Sequence, residues 1–109
     1  MKYLLLIHLD ENKPPPPEAM RNYVQLADDL KAKGQWGGGA RLEHSQEART
    51  LRQGHVTDGP FAETREQLGG FYLVDVATRA EAEAIAARIP AAAWGAIEVR
   101  PLMVHGPTP

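Results

Sequence analysis

The stretch Tyr3-Leu4-Leu5-Leu6-Ile7-His8-Leu9 is apolar at every position but His8, and four prolines, Pro14 to Pro17, follow close behind it. Side chains of a strand alternate between faces. Tyr3, Leu5, Ile7 and Leu9 therefore line one side, and Leu4, Leu6 and His8 the other. A strand that is apolar on both sides has to be covered on both sides. The run is too short to cross a bilayer as a helix, and no small-residue cleavage site follows it. It reads as a buried strand of a cytoplasmic protein with no membrane partner. Proline has no N–H to give to a ladder, so Asp10 to Pro17 is a stiff connector that neither strand nor helix interior can occupy.

The chain has 109 residues, enough for one domain with a core of its own. That domain is assigned to residues 1–105, with 106–109 as a flexible tail of glycine and proline. There is no cysteine, so disulfides, thiolate nucleophiles and cysteine-held metals are excluded. The net charge is −2, with Lys and Arg interleaved among Asp and Glu. A nucleic-acid binder needs a concentrated basic face, so no nucleic-acid partner is expected.

Beyond the prolines, Met20, Tyr23, Val24, Ala27 and Leu30 recur at helical spacing. They predict a helix from Pro17 to about Lys33, with Gly34 as its stop. Trp36-Gly37-Gly38-Gly39-Ala40 suits a bend or a bulged strand start. Thr50 to Arg52 and His55 to Thr57, around Gln53-Gly54, predict a short hairpin. Phe71 to Val76 is a strand rich in aromatic and β-branched residues. Thr78 and Glu81 form a capping box, and Ala82, Ile85, Ala86 and Ile89 are the buried face of a second helix that Pro90 ends. A last strand, Ile97 to Val104, carries Pro101 and must be an edge or bulged. The fold class is α+β: a ferredoxin-like β-α-β-β-α-β order with an inserted hairpin and both helices on one face of an antiparallel sheet. A second copy is the simplest cover for the other face, so a homodimer is expected.

Val56-Thr57-Asp58-Gly59-Pro60-Phe61-Ala62-Glu63-Thr64-Arg65-Glu66-Gln67-Leu68-Gly69-Gly70-Phe71-Tyr72-Leu73-Val74 resembles the DGPF signature of YCII-related proteins. Lys2 to Ile7 resembles the family's opening strand, and Ala87 to Ala92 and Ile97 to Leu102 resemble its close. The resemblance implies a dimeric α/β barrel. It implies far less about function, although related proteins are suspected of enzymatic activity with an Asp and a His in a cleft. Superfamily relatives process small aromatic or polyketide-like molecules. His8 stands where openings in this family often carry an aromatic residue, while YCII proteins outside the DGPF group have a histidine near the end of the first strand.

Asp58 and His8 are the candidate catalytic pair. Asp58 has two readings: a cleft carboxylate acting as general base, or a turn residue accepting a backbone N–H from Phe61 or Ala62. Histidine is the side chain whose ordinary titration lies nearest neutrality, which suits His8 as proton partner; a satisfied core histidine is its other reading. Glu63, Arg65, Tyr72 and Arg100 are the candidate substrate-binding residues, with an arginine clamping an anion. The cleft is expected near Asp58, Glu63 and Arg65, walled by His8 and Tyr72. The histidines have no metal-ligand spacing, and the glycines of 34–39 are not followed by Gly-Lys-Ser/Thr, so no metal, nucleotide or other cofactor is expected. Trp36 and Trp94 read as core or dimer contacts. Two functions follow. One is a cofactor-independent lyase or isomerase acting on a small cyclic or aromatic acid. The other is a non-catalytic dimeric module that works in transcription control through protein contacts, as the resemblance to partners of sigma-factor systems implies.

Overall fold

The computed structural model describes residues 1–104; His105 and the tail 106–109 lie outside them. Six strands and two helices run in the order β1 (Lys2–Leu9), α1 (Ala19–Ala32), β2 (Trp36–Arg41), β3 (Arg49–Arg52), β4 (His55–Asp58), β5 (Gln67–Asp75), α2 (Arg79–Arg88) and β6 (Ala96–Pro101). Single 3-10 turns follow at Ser45–Glu47 and Pro90–Ala93. The main sheet is antiparallel with strand order β2-β5-β1-β6. This α+β arrangement is compatible with a ferredoxin-like fold. The β3–β4 ribbon is a separate two-stranded sheet.

β1 takes the central place its composition demands. Tyr3, Leu5 and Ile7 are buried, whereas Leu4, Leu6 and His8 are half-buried on the opposite side. Tyr72, Val74 and Val76 join the first set, and Leu26 and Leu30 of α1 with Ala82, Ile85, Ala86 and Ile89 at α2 complete one apolar cluster. Both helices therefore cover the same face. The other face is open. Its register sets Leu4 beside Leu73 and Arg100, Leu6 beside Phe71 and Glu98, and His8 beside Leu68 and Ala96.

The predicted stops and turns are local chemistry, and they recur in the structure. Gly34 leaves α1 at φ +68°. Its N–H donates to the Lys31 carbonyl, and the Gln35 N–H donates to that of Leu30, the paired bonds of a Schellman ending. Thr78 Oγ1 accepts the Glu81 N–H at 3.2 Å. The Glu81 carboxylate accepts the Ala77 N–H at 3.0 Å, so the box closes one residue ahead of the cap. Gln53 (φ 50°) and Gly54 (φ 81°) form the left-handed pair that turns β3 into β4. β6 is an edge strand that Pro101 terminates.

Three expectations change. α1 begins at Ala19 rather than Pro17, and its buried stripe is Ala19, Leu26 and Leu30, with Tyr23 half-buried. Met20 and Val24 face solvent at 61% and 53% exposure. β5 starts at Gln67, four residues before the aromatic run, because a bulge between the Ile7–Gly70 and His8–Leu68 pairs absorbs Gly69 and lets the ladder continue. β6 stops at Pro101 rather than Val104.

Candidate functional site

The polar end of β1 is where functional groups collect. His8 is the last residue of β1 on the open face, and Asp10 follows directly after the strand. The segment before β5 brings Thr64, Arg65 and Glu66 alongside, as expected from the adjacency of β1 and β5. Across the strand, β6 and the turn ahead of it supply Ala96 and Trp94, while Lys13 approaches from the proline-rich connector. These groups line an open cleft of about 740 Å³.

Each side chain is held by identifiable contacts. Gly95 lets the Trp94 turn lie against β1: a Cβ at that position would sit 2.2 Å from the His8 carbonyl oxygen. The Asp10 carboxylate accepts the Asn12 N–H at 3.1 Å, a local turn bond, and its second oxygen faces Arg65 Nε at 3.7 Å. Gln67 Nε2 donates to the carbonyls of Ala62 and Thr64, at 2.8 and 3.0 Å, and so fixes the loop that carries Arg65. His8 Nε2 lies 3.5 Å from Glu98 Oε1. The Arg100 guanidinium, hydrogen-bonded to Glu98, and then His8 hold the Glu98 carboxyl below the ordinary carboxylate range against a smaller opposing effect of burial.

His8 and Arg65 of the expected site therefore meet in one cleft. Asp58, Glu63, Tyr72 and Arg100 do not line it. Asp58 ends β4 on the detached ribbon, 93% exposed and 3.6 Å from Arg49 Nε. The described contacts include no bond from its carboxylate to the N–H of Phe61 or Ala62; the Gly59 N–H instead extends the ribbon's ladder by donating to the Ala48 carbonyl at 2.8 Å. Glu63 stays on the exposed loop beside Gly59. Tyr72 pairs with Leu5 and so faces the helices. It packs edge-on to Trp36 with centroids 5.0 Å apart, and burial, then the neighbouring Tyr23, push its hydroxyl up to about 12. Arg100 sits on the open sheet face beside Leu4, a pair of residues further along β6 than Glu98.

Asp10, Lys13 and Glu98 were not among the residues the sequence singled out, and Trp94, expected as a core or dimer contact, packs against the core and also lines the cleft. Asp10 alone had a local signal, since it ends the strand that carries His8. Trp94 reaches the cleft through the turn before β6 and Lys13 through the connector, while strand register sets Glu98 beside His8. Nearby, Glu11 forms a second polar cluster. Its carboxylate accepts from the Ser45 backbone N–H at 2.9 Å and from the Ser45 hydroxyl, and His44 Nε2 stands 3.5 Å away. Burial works to raise the Glu11 carboxyl, but the Ser45 bonds and His44 together bring it below its ordinary value. This clasp ties the connector to the segment after β2. Among the described residues no three His, Asp or Glu side chains converge as metal ligands, and no helix is long and apolar enough to cross a membrane.

A family model described as the YCII-related domain matches residues 1–105. A protein of Rhizobium meliloti (strain 1021), described as the uncharacterized protein R00369, is 38% identical over 119 residues, spanning 98% of this chain and 96% of its own.

Proposed function

The chain belongs to the YCII-related domain family, and from that footing we propose that it works as a homodimer in the manner of a dimeric α/β barrel, each copy holding a small cyclic or aromatic acid in the His8 cleft. The observation that carries this reading is the set of groups around one opening: a histidine, two cationic side chains, two carboxylates and an indole. Arg65 and Lys13 suit a carboxylate. Trp94 offers an apolar wall for a ring. His8 is the proton carrier, and Glu98 at 3.5 Å stabilises the imidazolium that forms when the ring takes a proton. A positioned general base of this kind contributes roughly 10²–10⁴-fold to a proton-transfer step. The reaction class that fits is lyase or isomerase chemistry at a carbon or hydroxyl acidified by the ring. Asp10, rather than Asp58 of the same chain, is the aspartate within the cleft.

The half-buried, apolar open face of the sheet supports the dimer, since among the described residues no helix layer covers Leu4, Leu6, Phe71 and Leu73. The test of the cleft is an NMR titration with benzoate and its hydroxylated relatives, reading the His8 ring protons. At least one acid should shift them to saturation, and Arg65→Gln should weaken that binding about tenfold, the loss of one charge-assisted contact. If no acid in the series moves the His8 signals, the cleft reading falls. The module that acts in transcription control through protein contacts then becomes the better account.

A further inference from the structure

The β3–β4 ribbon, residues 49–58, packs extensively only on itself. Its strands are four residues each, and a two-stranded ribbon of that size is marginal in water. Yet it carries apolar side chains into solvent: Leu51 is 69% exposed, its cross-strand partner Val56 59%, and Phe61, just beyond the ribbon, 78%. Arg52 lies over the Phe61 ring at 5.3 Å, which keeps that ring outward with the ribbon. The same chain presents a second unfilled apolar surface, the open face of the main sheet. Its shortest strands are six residues long, so the face spans about 20 Å by about 19 Å, or about 400 Å² in plane. A stable complex buries about 800 Å² on each partner. The sheet face alone is about half of that.

We propose that each β3–β4 ribbon is an arm that lies across the open sheet face of a second copy of this chain, at its His8 end. The inference rests on the dimer proposed above and adds the element that clasps it. Both unfilled surfaces belong to one chain, so a two-fold arrangement covers both in one event, each arm on the other's sheet. The arm starts from the end of β2 and returns at the start of β5, the end of the sheet at which the cleft opens. In this assembly the arm closes the open side of the partner's cleft, and the site is incomplete in a single copy.

Sedimentation across a dilution series, on the wild type and on the triple variant Leu51→Ser, Val56→Ser, Phe61→Ser, tests the arm. The three side chains are exposed in the single chain, so the variant should keep its circular dichroism while its dimer dissociation constant rises at least a hundredfold. A wild-type dimer with an unchanged constant in the variant overturns the arm and leaves the dimer standing. A wild-type monomer overturns both. Should the variant fail to fold, hydrogen exchange on the wild type decides: the amides of Thr50 to Thr57 should exchange at least tenfold more slowly above the dissociation constant than below it. Exchange that does not depend on concentration overturns the arm.

Discussion

His8 gains its surroundings from four separate segments: its own strand, the loop before β5, the turn at Trp94 and the edge strand with Glu98. Only the first two were visible along the sequence. His8 stood out as the one polar residue in an apolar run, and Arg65 as a cation just after a recognisable turn motif. Trp94 and Glu98 are brought in by the β1–β6 register, which no local pattern encodes. Asp58 shows the opposite failure. Its Asp-Gly-Pro setting is turn chemistry, and the chain does bend at Gly59 (φ +104°), but the carboxylate projects into solvent toward Arg49. An exposed pair of this kind contributes about 0–1 kcal/mol. Asp58→Ala should therefore lower the urea-unfolding free energy by less than about 1 kcal/mol. A loss near 2 kcal/mol would point to a buried partner for Asp58 and to the turn-capping role first expected of it.

At the scale of elements, α1 shows where periodicity is ambiguous. Met20, Tyr23, Val24, Ala27 and Leu30 make one plausible stripe, and Ala19, Tyr23, Leu26 and Leu30 make another that shares two members with it. The helix presents the second to the core: Ala19, Leu26 and Leu30 are buried, and the Tyr23 hydroxyl meets the Ala91 backbone. In α2 the stripe with the two isoleucines is the buried one, and that set was correctly legible. The two helices are then joined by Arg88 and Asp29, whose nitrogen and oxygen are 2.5 Å apart. Leu26→Ala should cost about 2–5 kcal/mol, as deletion of a fully buried leucine does. Val24→Ala should stay within about 0.5 kcal/mol. Urea denaturation of the two variants side by side checks the roll of the helix, and equal losses would contradict it.

The described residues form a slab, 43 by 41 by 18 Å, with one layer of helices on one layer of sheet. Its radius of gyration is 15.1 Å, against about 13 Å for a compact domain of this length. The difference reflects the projecting arm and the missing second cover. β1 is the hub of this slab, paired on one side with β5 and on the other with β6. A chain ended after Asp75 loses β6 and the Ile85 and Ile89 contacts of α2. It should show no cooperative thermal transition by circular dichroism, and a native-like melt would show that β5 alone can anchor β1. The order of manufacture gives this hub a further meaning. Synthesis proceeds at about 5–20 residues per second, and β1 emerges well before Gln67 and Ala96, where its two partners begin. Its leucines must wait, unpaired, for seconds on the ribosome. A nascent chain of this kind offers a sticky strand to every neighbour until its last strand is released, so crowding during expression, rather than the stability of the finished fold, should govern how much of it stays out of aggregates.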